Sequence, residues 1–187
     1  MLHGSAVKVG SSGIGILGPA TLGKSTLAAT LRRRGHEHLS DGMCVVREDS
    51  LVPGPPRAKL WPDSIESIGE DPSHFARVIP STEKRTVPIT SPLATEPVHL
   101  SHIFCLQVDA DARCSTVDPL PPTQALWELI RNYYLAEYIG RTEAPIIFER
   151  CAAIARSVPV YKLVRPNSLN ALDEVAEAVE RTVASSP

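Results

Sequence analysis

The sequence predicts an α/β fold in a single domain spanning residues 1–187, and three observations support this. Short apolar segments of strand length concentrate early in the chain, and segments with a helical apolar stripe concentrate in the C-terminal third. A glycine-rich loop connects an early strand to a helix, as is common in α/β proteins. The length of 187 residues also matches one domain, since domains average roughly 150 residues.

The N-terminal part of the chain predicts two strands and one helix. Alternating residues predict a strand over 5–9, and a turn at 10–13 leads to an apolar strand over 14–17. A helix is predicted over 24–34. Gly35 is a suitable left-handed stop for it, behind three arginines whose charges suit the helix C-terminus.

The middle of the chain is rich in proline and predicts short elements separated by loops. Strands are predicted over 43–47 and 59–61, with a Pro-rich loop over 50–58 between them and a short helix over 63–69 after them. The segment 70–97 carries many Pro, Ser and Thr residues. That composition predicts a mobile loop.

The C-terminal half predicts two strands and three helices. The strands cover 98–108 and 158–164. The helices follow from three apolar stripes at helical spacing, which are Leu126, Leu129, Ile130, Tyr133 and Tyr134, then Phe148, Cys151, Ala152 and Ala155, then Leu172, Val175, Ala176 and Val179. These three helices place most of the helical content late in the chain.

The composition is that of an ordinary globular protein and excludes several classes. Apolar residues make up 43% and charged residues 21% of the chain, and the net charge is −2. Such a chain has no global field that attracts nucleic acid or acidic membranes, and no apolar run reaches membrane-spanning length. We therefore expect a cytoplasmic protein with neither nucleic acid nor membrane as partner. The four cysteines are widely spaced, which favours free thiols over a zinc site.

Residues 18–25, Gly-Pro-Ala-Thr-Leu-Gly-Lys-Ser, match the Walker A pattern G-x-x-x-x-G-K-[ST] at every specified position. A predicted strand precedes them and a predicted helix follows, as this P-loop requires. Its glycines let backbone amides wrap phosphates, Lys24 reaches the β- and γ-phosphates, and Ser25 ligates Mg²⁺. The sequence thus predicts ATP and Mg²⁺ as cofactors. The predicted nucleotide contacts are Gly18, Pro19, Ala20, Thr21, Leu22, Gly23, Lys24, Ser25 and Thr26.

The P-loop needs an acidic partner that holds the metal or accepts a proton, and two aspartates compete for this role. Asp41 follows the P-loop helix and precedes the strand predicted over 43–47. Asp109 ends the apolar run 103–108, which is the strand-plus-Asp pattern of a generic P-loop ATPase. Spacing alone does not choose between them.

Several residues around the P-loop form a wider pattern. In chain order they are Leu2, His3, Ser5, Ala6, Val7, the P-loop itself, Leu27, Ala28, Arg34, Gly35, His36, Ser40 and Asp41. This pattern resembles the catalytic domain of the HPr kinase/phosphorylase family of bacterial serine kinases. Weaker likeness at 60–63, 83–85 and 158–161 is to the short, stand-alone members of that family. The resemblance implies a P-loop core of the type that the family shares with phosphoenolpyruvate carboxykinase.

The resemblance also implies roles for individual residues. Asp41 would be both metal ligand and general base, alongside Ser25 as the second metal ligand. His3 would lie near the Asp41 carboxylate and tune it. Lys84 and Arg85, in the predicted mobile loop, would either close over the γ-phosphate or form a solvated surface pair. The catalytic residues expected on this basis are Asp41, Lys24, His3 and Arg85, and the family's frequent oligomerisation makes a homo-oligomer one expectation.

The sequence departs from the family at three points. Gly42 stands where the family has a second acidic residue, and Thr26 stands where it usually has Glu. The Arg-Gly-rich signature linked to the phosphorylase reaction is not visible in 60–80. We therefore do not expect phosphorylase activity, whereas Asp41 keeps the kinase reaction open.

These observations predict an ATP-dependent kinase that phosphorylates a hydroxyl, a serine by family resemblance, on a peptide or small protein. Two alternatives remain open at this stage. Loss of the second carboxylate at Gly42 would suit a nucleotide-binding regulatory module without turnover. A generic P-loop ATPase would use Asp109 instead of Asp41.

Overall fold

The computed structural model describes residues 1–134, 140 and 142–185, which form ten strands and five α-helices. The predicted α/β class is confirmed as a mixed α/β fold, and three of these five helices follow residue 121. The strands are β1 (Gly4–Val9), β2 (Ser12–Leu17), β3 (Glu37–Asp41), β4 (Val45–Arg47), β5 (Ser50–Val52), β6 (Arg57–Leu60), β7 (Arg85–Pro88), β8 (Val98–Asp109), β9 (Thr116–Pro119) and β10 (Val160–Pro166). The helices are α1 (Lys24–Arg33), α2 (Pro62–Ser67), α3 (Pro122–Arg131), α4 (Ala144–Ser157) and α5 (Leu172–Ala184).

The main sheet has the strand order β3-β1-β2-β8-β10-β9. Strands β2, β8 and β10 are parallel to one another, while β1 is antiparallel to both β2 and β3. Because β1 is antiparallel to both of its neighbours, β3 runs in the same direction as β2, β8 and β10. The carboxyl ends of these four strands therefore lie at one edge of the sheet, where β1 begins. The hairpin β4–β5 attaches to the start of β8, and β6 and β7 form a separate two-stranded sheet.

Helices cover both faces of the main sheet. In the centre of β8, Ile103 and Cys105 pack into the cluster that contains α3 and α4, whereas Phe104 and Leu106 pack into the cluster that contains α1 and α5. All four side chains are at most 2% exposed. A strand buried on both faces needs apolar residues at every position, which explains the long apolar run that predicted this strand.

The hairpin β6–β7 and helix α2 form a third, smaller core against α1. Its buried members are Ala29, Ala58, Leu60, Ile65, Ile68, Val87 and Ile89. The predicted mobile loop over 70–97 is therefore wrong for its second half, where β7 pairs with β6. The sequence prediction missed β7 because of the nearby Pro and Ser residues, although Val87 and the Ile89 that follows the strand are buried in one cluster with Ala29 of α1.

Other differences from the sequence prediction have simple physical reasons. Strand β3 was not predicted because Glu37–Asp41 contains a single strongly apolar residue, although Leu39 and the polar side chains beside it are buried in the structure. Strand β9 is mostly exposed, and its backbone pairs with β10. Because it buries few side chains, its sequence has no apolar pattern. The predicted Pro-rich loop over 50–58 contains β5 and the start of β6.

The arginines at the end of α1 are engaged with α5. Arg33 contacts Asp173 at 2.7 Å, and Arg34 contacts Glu180 at 2.8 Å. His36 lies 2.8 Å from the same Glu180 carboxylate, so its place is structural. Gly35 has φ of 99°, the left-handed conformation predicted for the helix stop. Arg33 and Arg34 thus tie the end of α1 to α5 and do not form a separate basic patch.

The four cysteines are free, as predicted, and three of them are buried. Within the ranges described above, no helix has both the length and the apolar character needed to cross a membrane.

The buried His38 should make stability depend on pH. This β3 side chain is 3% exposed and hydrogen-bonds the Pro55 backbone, and burial is the main cause that lowers its pKa below the usual 6.5. The unfolded chain protonates His38 near pH 6.5 while the folded protein resists protonation. Stability from this group is therefore complete above that pH and decreases as the pH falls below it.

We expect the thermal midpoint of the protein to fall between pH 7.5 and pH 5.5, and to fall less in His38→Gln, because glutamine does not titrate. Burial also lowers the pKa values of His3 and His102, so part of the dependence should persist in the variant. Midpoints measured by circular dichroism in matched buffers test this. An equal decrease in both proteins would contradict the assignment to His38.

Candidate functional site

A cavity of about 770 Å³ opens at the edge of the sheet where four carboxyl strand ends meet the start of β1. Its volume lies within the range of roughly 300–1,000 Å³ typical of ligand pockets. Strand β3 contributes Asp41 and β10 contributes Arg165, while His3 and Ser5 come from the start of β1. The first turn of α1, strand β6, helix α2 and the segment that follows β10 supply most of the remaining polar lining.

The loop between β2 and α1 has a backbone that depends on its two motif glycines. Gly18 has φ of 141°, and a Cβ at this position would lie 2.7 Å from the Leu106 carbonyl oxygen. Gly23, at the N-cap of α1, has φ of 96°. A side chain at either position would be strained. The pattern of glycines therefore follows from the path of the chain between β2 and α1.

The first turn of α1 is open to an anion. No side chain caps it, and it contains no acidic residue. Helix N-termini carry unsatisfied amides and the positive end of the helix dipole, which together favour negatively charged groups. Thr21, at the tip of the loop, has φ of 68°, an uncommon conformation that clusters at ligand-binding sites.

Lys24 is held against the backbone of its own loop. Its Nζ donates to the carbonyl oxygens of Gly18 and Pro19, each at 2.8 Å, and the residue is 7% exposed. Burial is the largest cause that lowers the pKa of Lys24, while the Asp41 carboxylate acts in the opposite direction. The ammonium therefore lies inside the cavity with Asp41 as its nearby opposite charge.

Two residues that the sequence did not predict fasten the loop. The Gly18 amide donates to Asn132 Oδ1 at 3.0 Å, at the C-terminal end of α3, and Asn132 Nδ2 donates to the Glu128 carbonyl oxygen. Arg165 Nη2 donates to the Leu22 carbonyl oxygen at 3.0 Å. Both residues are buried, and burial lowers the pKa of Arg165. Strand β10 also contains Lys162, so an arginine at position 165 gave no distinct signal in the sequence.

Both carboxylate oxygens of Asp41 accept hydrogen bonds. Ser5 Oγ donates to Oδ1 at 2.7 Å, and the backbone N–H of Lys59 donates to Oδ2 at 2.9 Å. The two donors come from β1 and β6, so the carboxylate joins the main sheet to the hairpin. A carboxylate has about four lone-pair positions, so two remain for other partners. Asp41 is therefore fixed in orientation and can still bind a cation or a proton.

His3 lies in the same part of the cavity. Its backbone N–H donates to the Asn132 carbonyl oxygen at 2.7 Å, which ties it to the support of the loop. Burial is the largest cause that lowers the pKa of His3, followed by the charge of Lys24, while Asp41 acts to raise it. The imidazole is thus near both charges, as the family resemblance implies, and its neutral form is favoured.

The predicted nucleotide-contacting residues divide into two groups. Ala20, Thr21, Gly23, Lys24, Ser25 and Thr26 line the cavity. Gly18, Pro19 and Leu22 lie behind them, and their backbone groups bond to Asn132, Lys24 and Arg165. The Thr26 hydroxyl is buried and donates to Ser64 Oγ at 3.0 Å, so its side chain links α1 to α2.

The structure places Asp41 and Asp109 differently. Asp109 does not line the cavity, and its exposed Oδ1 accepts from the backbone N–H of Asp111 at 2.9 Å. Arg85 also lies outside the lining, on β7, with its guanidinium 3.5 Å from Glu83. The neighbouring Lys84 does line the cavity. Of the two candidate acids, Asp41 is the one that lines the cavity together with Lys24, and its catalytic role remains a prediction.

Comparisons with known proteins give matches among solved structures but not among family models or curated sequences. A scan of protein-family models finds no match, and a search of curated protein sequences finds none either. Among solved structures, the HPr(Ser) kinase/phosphatase from Coxiella burnetii is similar over 97% of this chain and 95% of that chain, with a TM-score of 0.44 and 12% sequence identity. A TM-score and identity this low assign neither membership nor activity.

The support of Gly18 by Asn132 predicts a stability effect. Asn132→Ala leaves the buried Gly18 amide without its acceptor, and an unsatisfied buried group costs roughly 1–3 kcal/mol. Urea unfolding should show a loss of about this size. The control is Asn170→Ala, since Asn170 is exposed and its change should cost less than about 0.5 kcal/mol. Equal losses in both variants would show that Asn132 does not support the loop.

Proposed function

We propose that this protein is an ATP- and Mg²⁺-dependent kinase that transfers a phosphoryl group to a serine hydroxyl of a peptide or small protein. One observation carries the proposal. A glycine-rich loop with Lys24 and Ser25, and an aspartate fixed by two hydrogen bonds, line the same cavity. A kinase needs these two parts close together, because the transferred group passes from the phosphate site to a hydroxyl beside the base.

The charges of the cavity suit anionic ligands, and two of its cations, Lys24 and Arg165, bond to the loop before α1 itself. Five basic side chains line it, against two acidic ones, in a chain whose net charge is −2. The basic residues are Lys24, Arg57, Lys59, Lys84 and Arg165, and the acidic residues are Asp41 and Asp63. A cleft lined by one sign of charge concentrates ligands of the opposite sign. The open first turn of α1 adds amide donors at the same place.

The residues present also fit Mg²⁺. This ion prefers oxygen ligands, and Ser25 Oγ and the free lone pairs of Asp41 supply oxygen donors in the lining. When bound, the ion would neutralise charge on the phosphates. Lys24 would exchange its bonds to the Gly18 and Pro19 carbonyls for phosphate oxygens.

Asp41 supplies the base in the proposed reaction. The acceptor hydroxyl oxygen forms a bond to the γ-phosphorus, its proton passes to an Asp41 oxygen, and the bond from the γ-phosphorus to the leaving ADP oxygen breaks. Ser5 and the Lys59 amide hold the carboxylate in one orientation for this transfer. Lys24 stays against the phosphates and stabilises the charge that develops on them.

One alternative has an observation in its favour. Gly42 provides no second carboxylate next to Asp41, which would suit a nucleotide-binding module without turnover. The ATPase alternative loses support because Asp109 lies outside the cavity lining. Phosphate release measured with and without acceptor peptides separates the three. Turnover that requires an acceptor indicates a kinase, turnover without one an ATPase, and binding without turnover a module.

Lys24→Ala should weaken binding of ATP–Mg²⁺ by about ten- to a hundredfold. The substitution removes a charged hydrogen-bond donor, typically worth roughly 1.5–3 kcal/mol, and each 1.4 kcal/mol is tenfold in affinity. Lys162→Ala is a matched control, because Lys162 lies on β10 outside the cavity lining. Titration calorimetry with all three proteins provides the measurement. If wild type and Lys24→Ala bind equally well, the P-loop assignment is wrong.

Asp41→Asn should lower phosphoryl transfer by roughly 10²–10⁴-fold, the usual contribution of a general base. The fold should survive, because asparagine can accept from the Lys59 amide through Oδ1 and donate to the Ser5 hydroxyl through Nδ2. Asp109→Asn is the matched control and should leave transfer unchanged. Rates of both variants, measured with radiolabelled ATP, test the assignment. Loss of turnover in Asp109→Asn alone would identify an ordinary P-loop ATPase.

A further inference from the structure

We propose that the acceptor is an acidic peptide segment, recognised by a basic face that consists of Arg57 and Lys59 on β6 and Lys84 immediately before β7. This inference rests on the proposed kinase function, since it assigns a chemistry to the acceptor of that site. The two sides of β6 have different surroundings. Ala58 and Leu60 are buried against α1, while Arg57 and Lys59 alternate with them and line the cavity.

The basic face is unpaired, in contrast to cations elsewhere in the fold. Within residues 1–134, 140 and 142–185, neither Arg57 nor Lys59 has a carboxylate within ion-pair distance. Lys84 lies 5.5 Å from the centre of the Trp61 ring. By comparison, Arg33 and Arg34 each contact carboxylates of α5. Cations left unpaired in a cavity are available to an anionic ligand.

The position of this face relative to Asp41 favours the acceptor over the nucleotide. The Lys59 backbone donates to Asp41 Oδ2, so β6 passes directly beside the proposed base. The cations that belong to the phosphate loop are different ones, since Lys24 contacts Gly18 and Pro19, and Arg165 contacts Leu22. An acceptor hydroxyl must reach Asp41, and chain flanking that hydroxyl would then lie along β6. Carboxylates at the flanking positions would meet Arg57 and Lys59.

Binding tests the inference without requiring turnover. The probes are two fluorescent peptides with a central serine, flanked on both sides by Glu in one and by Gln in the other, added to the full chain with ATP–Mg²⁺. Each exposed charge pair is worth roughly two- to fivefold in affinity, so the Glu peptide should bind about five- to twentyfold more tightly. The preference should fall at high salt, because screening weakens exposed pairs.

The double variant Arg57→Gln/Lys59→Gln should lose this preference while its affinity for ATP–Mg²⁺ stays unchanged. Arg47→Gln is the control, since Arg47 is an exposed arginine on β4 outside the cavity lining. The reversed variant Arg57→Glu/Lys59→Glu should instead prefer a peptide with Lys at the flanking positions. Transfer of radiolabelled phosphate to the Glu peptide should show the same preference, expressed in KM.

Three results would overturn the inference. They are equal binding of the Glu and Gln peptides, a preference that the double variant retains, and a loss of ATP affinity in the double variant, which would assign these cations to the nucleotide. Failure of the kinase proposal looks different. In that case the Glu peptide binds preferentially through Arg57 and Lys59, but no phosphate is transferred to it.

Discussion

The direction of strand β1 is the constraint on which the rest of the site depends. This strand is antiparallel to both neighbours, so its first residues pair with the last residues of β2 and β3. Gly4 pairs with Leu17, immediately before the phosphate loop, and Ser5 pairs with Asp41. The backbone register thus brings the loop and the carboxylate together. Side chains alternate between the two faces of a strand. A one-residue slip in the pairing of β1 would therefore move Ser5 to the opposite face of the sheet and separate it from Asp41.

The loop is held in place by buried polar side chains from distant parts of the fold. Asn132 comes from the helical layer on one face of the sheet and Arg165 from β10, and they bond to opposite ends of the loop. Lys24, the first residue of α1, donates to two carbonyl oxygens of the same loop. A buried polar group without a partner is costly, so these contacts favour one loop conformation. The donors of the loop are therefore ordered before any ligand binds, which reduces the entropy cost of binding.

The sequence predicted the parts of this site whose signal is local. The Walker A spacing of eight residues predicted a loop between a strand and a helix, where β2 and α1 now lie, and regular apolar periodicity predicted β8 and the late helices. Asn132 and Arg165 were missed because their loop partners lie 114 and 143 positions away, and such contacts leave no pattern in either segment. The choice between Asp41 and Asp109 likewise needed the order of strands, since both residues end a strand.

Charge pairing explains how a chain of net charge −2 presents a basic cavity. The acidic side chains of α5, Asp173 and Glu180, lie against the arginines of α1 and neutralise them on the far side of the P-loop helix. The cations of β6 have no such partners among the described residues. At physiological salt the field of exposed charges decays within about 8 Å, so the unpaired cations act inside the cavity and hardly beyond it. The excess of positive charge is thus a local property of the cavity, which is why composition and net charge gave no sign of it.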